Sequence, residues 1–191
     1  MNKAVCVFCG SAAGARPSYS AAARELGEAL ARSGIALVYG GGKLGLMGIL
    51  ADAVLQAGGH VIGVIPRMLI EREAAHPSLT RQHVVTTMHE RKTLMAELSD
   101  AFVGLPGGMG TFDELVEIVT WAQLGLHAKP VVLANIEDYF RPLYAMLDHA
   151  VTEGFVTAVS RARWRNADSV TSVMQILAKE GLAGDDPVGI S

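Results

Sequence analysis

Residues 105–123, LPGGMGTFDELVEIVTWAQ, constrain the fold of this chain more than any other stretch. An apolar run of strand length, residues 101–105, leads into three closely spaced glycines: Gly107, Gly108 and Gly110. From there, apolar residues recur at spacings of three and four, which is the period of a helix with one buried face. The stretch therefore predicts a strand, a glycine loop and a helix, an arrangement with which α/β proteins bind phosphate at a helix N-terminus.

The rest of the chain alternates between apolar runs of strand length and helical patterns. The predicted strands are residues 4–8, 35–39, 60–65, 82–86, 101–105, 130–134 and 163–167. The predicted helices are residues 17–32, 44–57, 88–98, one that starts at Thr111, one within 136–152, and 169–179. Because the strands are continuous apolar runs, both faces of the sheet should be covered. We predict a single α/β domain, residues 1–180, with a Rossmann-like, doubly wound, mostly parallel sheet flanked by helices, and a flexible tail, residues 181–191.

Composition excludes several classes of protein. A chain of 191 residues is expected to form one domain, and no apolar run reaches the roughly 18 residues of a membrane span. The net charge of −3 argues against a nucleic-acid partner, which would require a basic surface. Cys6 and Cys9 are too few for a disulfide scaffold, and no second pair supports a zinc site. We therefore predict a cytoplasmic protein with no membrane partner, no nucleic-acid partner and no bound metal.

Glycines mark the ends of three predicted strands, at residues 10–11, 40–42 and 107–110. Doubly wound sheets bind ligands beyond the carboxyl ends of their strands, so these three loops are predicted to line one site. Residues 40–45 also match the dinucleotide fingerprint GxGxxG, but Pro66 and Arg67 stand where that fingerprint requires an acidic residue. The alternative is that the glycines at 40–45 only form a tight turn and allow close packing of a helix.

Glu114 has two interpretations. Thr111 and Glu114 have the spacing of a capping box, in which both side chains satisfy backbone groups at a helix start. Alternatively, the carboxylate faces a substrate whose phosphate occupies the helix end, and Glu117 then lies on the same helix face.

Arg91 is the second candidate for chemistry. It shares one predicted helix face with three apolar residues, Met88, Met95 and Leu98, and is therefore expected to be buried. A buried arginine requires partners, which are either a structural glutamate or an anionic substrate bound bidentately. Lys92 adds positive charge beside it.

Three segments in this order resemble the LOG ("lonely guy") proteins, which are cytokinin-activating nucleotide phosphoribohydrolases often mislabelled as lysine decarboxylases. Residues 106–114, PGGMGTFDE, match the PGGxGTxxE signature of that family, and residues 40–48, GGGKLGLMG, match its second glycine segment. Residues 88–92, MHERK, match its arginine–lysine segment. The resemblance extends from Cys9 to about Arg141, and Glu90 stands where plant members commonly have Gln, as in the bacterial type.

This resemblance implies a cofactor-free hydrolysis of the N-glycosidic bond of adenosine 5′-monophosphates, with or without an N6 substituent. The products would be the free base and ribose 5-phosphate. It also implies that Arg91 and Glu114 are the catalytic pair and that the protein is a homodimer with sites near the interface. The predicted substrate contacts are Ser11, Gly41, Gly42, Glu73, Met88, Lys92, Gly107, Gly108, Gly110, Thr111, Glu117 and Thr120.

Two alternatives belong to other functional classes. A nucleotide-sensing or carrier module would use the same loops without hydrolysis. A pyridoxal-phosphate decarboxylase would require a Schiff-base lysine and usually a larger fold. Release of free base from a nucleotide distinguishes both from the hydrolase.

Overall fold

The computed structural model describes residues 3–70 and 74–182. Within them, seven strands form one sheet in the order β4-β3-β2-β1-β5-β6-β7. The strands are β1 (Ala4–Phe8), β2 (Ala36–Tyr39), β3 (Val61–Pro66), β4 (Arg81–Val85), β5 (Ala101–Gly104), β6 (Val131–Ala134) and β7 (Trp164–Ala167). The helices are α1 (Pro17–Arg32), α2 (Gly45–Gln56), α3 (Met88–Glu97), α4 (Met109–Gln123), α5 (Arg141–Thr152), α6 (Ala158–Arg161) and α7 (Val170–Lys179).

The predicted Rossmann-like architecture is confirmed, and every strand pair in the described sheet is parallel. Strand β1 lies between β2 and β5, so the chain changes its direction of winding at β1. In open α/β sheets the ligand crevice lies at this point, beyond the carboxyl ends of the strands. The loops after β1 and β5 are two of the three loops that the sequence predicts to line the site.

The sheet separates two apolar layers. Successive side chains of β1 point to opposite faces, so Val5 and Val7 pack with the layer that contains α1, α2 and α7. Cys6 and Phe8 pack with the layer that contains α3 and α4. Both faces of the sheet are therefore covered, which explains why its strands are continuous apolar runs in the sequence.

Helix α4 begins earlier than predicted. Gly108 is its N-cap, no side chain caps it, and Thr111 is the third residue of the helix. The predicted capping box of Thr111 and Glu114 is therefore wrong. The physical reason is that glycine is itself an acceptable N-cap, so the backbone turns into the helix before it reaches Thr111.

A capping box instead begins helix α3. The Thr87 hydroxyl accepts the N–H of Glu90 at 3.1 Å, and the Glu90 carboxylate accepts the N–H of Thr86 at 2.8 Å. The two residues thus satisfy backbone donors at the helix start, which fixes the orientation of the helix that carries Arg91.

Part of the predicted tail is ordered into the domain. Leu182 is 5% exposed and packs with the layer of α1, α2 and α7. Residues 183–191 lie outside the described residues, and so does Glu73. Among the helices that the structure describes, none combines the length and the apolar character needed to cross a membrane.

His127 holds the turn that follows α4. Its Nδ1 accepts the N–H of Lys129 at 3.1 Å, so Nε2 carries the proton and donates to the Ile118 carbonyl at 2.9 Å. Burial lowers the pKa of His127 below its usual 6.5; the Ile118 hydrogen bond opposes this shift, and the charges of Lys129 and Arg163 add to it. The ring is therefore neutral in the folded protein near neutral pH.

We expect the free energy of unfolding to fall as the pH falls through about 6.5, because the unfolded chain then binds a proton that folded His127 resists. His127→Gln keeps a donor and an acceptor but does not titrate, so its stability should decline less over this range. Urea unfolding at pH about 7.5 and about 5.5 measures the difference. Equal declines in the two proteins would show that His127 does not contribute.

Candidate active site

The three glycine loops meet at the carboxyl edge of the sheet. The Gly10 N–H, after β1, donates to the Pro106 carbonyl after β5 at 3.1 Å. The Gly10 carbonyl accepts the N–H groups of Leu46 and Met47, at the start of α2, at 3.0 and 3.3 Å. The loops after β1 and β5 and the start of α2 are thus joined by backbone hydrogen bonds, and that the loop after β2 lines the same site stays a prediction.

The starts of α2 and α4 differ in what their backbone donors contact. At α2 these donors are used by Gly10, and a Cβ on Gly45 would lie 2.3 Å from the backbone of Ser11. Gly45, the first residue of α2, therefore serves close packing against the loop after β1. At α4 the N–H groups of Met109, Gly110 and Thr111 donate to no acceptor in the described parts of the chain. Of these two helix starts that flank the loops, that of α4 is therefore the one suited to an anion.

A cavity of ≈ 200 Å³ adjoins the start of α4. Its lining is formed by the loops after β1 and β5, one residue of α2 and two tyrosines, without a charged side chain: Gly10, Ser11, Ala12, Ala13, Gly14, Tyr19, Leu46, Pro106, Gly107, Gly108 and Tyr139. Three of the predicted substrate contacts, Ser11, Gly107 and Gly108, are in this lining. Among residues 3–70 and 74–182, no group of three or more His, Cys, Asp or Glu side chains could hold a metal ion.

Arg91 is buried, as predicted, with 4% of its surface exposed. One guanidinium nitrogen, Nη2, donates to the carbonyl of Gly40 at 3.1 Å, and Nη1 lies 4.0 Å from the Met88 sulfur. A Cβ on Gly40 would lie 2.1 Å from Nη2. The glycine at the end of β2 is therefore needed for the guanidinium to reach its position.

The charges of Glu114 and Arg91 both shift the pKa of Cys6 on β1. Burial raises the pKa of the Cys6 thiol well above its usual value, the Glu114 charge raises it further, and the Arg91 charge lowers it. Burial and the Glu114 charge also raise the pKa of Cys9. Helices α3 and α4 therefore bring an arginine and a half-buried carboxylate to the carboxyl half of β1, next to the cavity loops.

Lys92 connects α3 to α4 through two salt bridges. Its ammonium group lies 2.7 Å from the Glu117 carboxylate and 3.1 Å from that of Asp113. Burial lowers the pKa of Lys92, but the hydrogen bonds and charges of Glu117 and Asp113 outweigh this effect, so its pKa is raised. Thr120, one turn further along, is exposed and donates to the Val116 carbonyl at 2.7 Å. Substrate contacts of Lys92, Glu117 and Thr120 stay predictions.

Gly41 and Gly42 are buried beneath the segment that returns to β4. The Gly41 carbonyl accepts the N–H of His76 at 2.9 Å, and Gly42 forms an antiparallel bridge with Ala75. His76 itself is 3% exposed and donates from Nε2 to Asp52 at 3.1 Å. The two glycines thus anchor this segment, and their predicted contact with substrate stays a prediction.

The sequence analysis missed Tyr139, which lines the cavity, and Asn135, which binds the turn that carries Tyr139. Tyr139 donates a hydrogen bond from its hydroxyl to the Gly107 carbonyl. Asn135, directly after β6, is 8% exposed and accepts the N–H of Phe140 at 2.7 Å. The position of Asn135 at a strand end was a usable signal. No local pattern marks Tyr139, because its partner is 32 residues away.

Comparison with known proteins assigns this chain to a family. A family model described as "Possible lysine decarboxylase" matches residues 47–177. A cytokinin riboside 5′-monophosphate phosphoribohydrolase from Rhodococcoides fascians is 53% identical over 162 residues, which cover 84% of this chain and 82% of that protein. The chain belongs to this LOG family. A LOG protein of the same name from Arabidopsis thaliana is 52% identical over 159 residues, or 83% of this chain and 75% of that protein.

Solved structures support the fold of this LOG-family chain. A molybdenum cofactor binding protein from Rippkaea orientalis matches with a TM-score of 0.72 and 19% identity, over 94% of this chain and 98% of that one. A molybdenum cofactor carrier protein from Chlamydomonas reinhardtii matches with a TM-score of 0.71 and 22% identity, over 94% and 97%. At these identities the likeness shows the architecture alone.

Proposed function

We propose that this protein is a nucleoside 5′-monophosphate phosphoribohydrolase. It hydrolyses the N-glycosidic bond of adenosine 5′-monophosphates, including N6-substituted ones, and releases the free base and ribose 5-phosphate. The observation that supports the proposal is that a helix start without a side-chain cap, Arg91 and Glu114 converge at one edge of the sheet. A relative that is 53% identical and carries this activity in its name supports it.

The 5′-phosphate binds at the start of α4. The N–H groups of Met109, Gly110 and Thr111 point along the helix axis, and the helix dipole adds positive potential there. No charged side chain lines the cavity beside it, so backbone groups supply most of the recognition. Binding energy at the phosphate, which does not react, then positions the ribose for the chemical step.

Glu114 carries the chemical step. It lies five residues beyond Met109, which is about 7.5 Å along the helix axis. A nucleotide whose phosphate is held at the helix start therefore extends its ribose toward this carboxylate. Cleavage of a glycosidic bond passes through an oxocarbenium-like transition state, which a carboxylate stabilises while it activates the attacking water.

Arg91 orients the Glu114 carboxylate and the bound nucleotide. Its hydrogen bond to Gly40 fixes the guanidinium, and both Arg91 and Glu114 face the carboxyl half of β1. In the proposed complex Arg91 positions the Glu114 carboxylate and contacts the ribose hydroxyls or the phosphate. The remaining contacts with sugar and base come from residues that flank this pair: Gly41, Gly42, Met88, Lys92, Glu117 and Thr120.

The protein works as a homodimer with its sites near the interface, in the cytoplasm. Apolar side chains on α4 and the turn after it support this arrangement, because Val116, Leu124 and Leu126 are 49%, 67% and 70% exposed. Val116 lies beside Glu117 on the helix that also carries Glu114, which supports an interface close to the site. Sedimentation velocity measures the oligomeric state directly.

A panel of nucleotides tests the substrate class. We expect free base from AMP and from isopentenyladenosine monophosphate, and at least tenfold slower release from adenosine, which cannot use the phosphate site. The bases are separated by chromatography. Equal rates for adenosine and AMP would contradict a role for the start of α4. Decarboxylation of lysine with added pyridoxal phosphate would favour the decarboxylase alternative instead.

A further inference from the structure

The turn between β6 and α5 has an unusual backbone. Glu137 and Asp138 both adopt positive φ angles, 54° and 58°, which residues with a side chain rarely do. Buried Asn135 holds the turn from inside: its amide oxygen accepts the N–H of Phe140 at 2.7 Å, and its amide nitrogen donates to Asp138 at 3.2 Å. Strained backbone persists only where its surroundings determine it, and it concentrates at functional sites.

This turn places Tyr139 beside the glycine loop that precedes α4. Its ring packs edge-on against Tyr19 and Phe140, with centroids 5.8 and 5.0 Å away, and lies nearly parallel to Phe112 at 6.4 Å. These rings and the strained turn fix the position of the hydroxyl, which donates to the Gly107 carbonyl. Tyr139 and Gly107 both line the cavity.

The direction of the Gly107 carbonyl decides what an anion meets in this cavity. A carbonyl oxygen carries partial negative charge and repels phosphate, whereas the N–H groups that follow it attract phosphate. We propose that Tyr139 is a positioning residue for the phosphate site. Its hydroxyl holds the Gly107 carbonyl as an acceptor, so that the N–H groups at the start of α4 face the 5′-phosphate. This inference rests on the proposed function, because it assigns the loop to a nucleotide phosphate.

The variant Tyr139→Phe tests the role of the hydroxyl, because it keeps the ring and its aromatic contacts. We expect the KM for AMP to rise roughly three- to tenfold, the effect of one lost hydrogen bond, and kcat to change less than about twofold. The dissociation constants of inorganic phosphate and ribose 5-phosphate, measured by calorimetry, should rise by the same factor. Tyr144→Phe is the matched control, because it removes a buried hydroxyl that has no hydrogen-bond partner among the described residues.

The readouts separate this inference from the proposed function. Unchanged KM and unchanged phosphate affinity in Tyr139→Phe would overturn the positioning role, even while the wild-type protein releases base normally. A fall in kcat with unchanged KM would also overturn it, since it would place Tyr139 in the chemical step. Weaker phosphate binding by the variant, in a protein that releases no base, would support the positioning role and refute the hydrolase.

Discussion

Glu114→Gln loses base release while it still binds nucleotide. We expect kcat for AMP to fall on the order of 10³-fold, because an amide can neither activate water nor balance the positive charge of the transition state. The dissociation constant of AMP should change by less than about threefold, since the phosphate is held by backbone groups at the start of α4. Single-turnover base release and calorimetry measure the two quantities.

The start of α4 makes this variant easy to interpret. Gly108 is the N-cap and Glu114 lies further inside the helix, so the carboxylate is not required to cap it. Glu25→Gln, at an exposed position of α1, is the control for removing one carboxylate charge and should retain full activity. Loss of thermal stability without loss of activity in Glu114→Gln would leave this residue only a structural role.

We expect Gly40→Ala to reduce activity because the added methyl group displaces the Arg91 guanidinium. The added Cβ would lie 2.1 Å from Nη2 of Arg91 and 3.3 Å from the Met47 sulfur, so the guanidinium has to leave its present position. We expect kcat/KM to fall on the order of 10²-fold, the cost of misplacing a catalytic group by about 1 Å. Steady-state kinetics measure this loss, and thermal unfolding shows whether the variant remains folded.

A double variant shows whether Gly40 acts through the arginine. If it does, Gly40→Ala combined with Arg91→Ala has the same activity as Arg91→Ala alone, because the displaced group is already absent. Independent losses that multiply in the double variant would contradict this explanation. They would mean that Gly40 supports the site through another contact.

Most of the fold follows from local patterns in the sequence. Helix α1 spans Pro17–Arg32 as predicted, because proline suits a first turn and Gly34 follows the helix end. The predicted start of α4 was wrong because the same stretch of sequence fits both a glycine N-cap and a Thr–Glu capping box. The burial of Arg91 follows from the apolar neighbours on its helix face.

Contacts between distant segments could not be predicted from those patterns. The Arg91–Gly40 hydrogen bond joins residues 51 apart, and the Tyr139–Gly107 hydrogen bond joins residues 32 apart. The second also depends on positive φ angles at two residues that do not usually adopt them. Such contacts depend on the order of the strands in the sheet. The periodicity of apolar residues along the chain does not predict that order.

The most direct test is to incubate the purified protein with AMP and to quantify adenine and ribose 5-phosphate by chromatography. The proposed hydrolase predicts that both products appear in equal amounts and that they accumulate over many turnovers. Recovery of intact AMP, bound at up to one molecule per chain, would contradict it and would favour a nucleotide carrier or sensor built on the same fold.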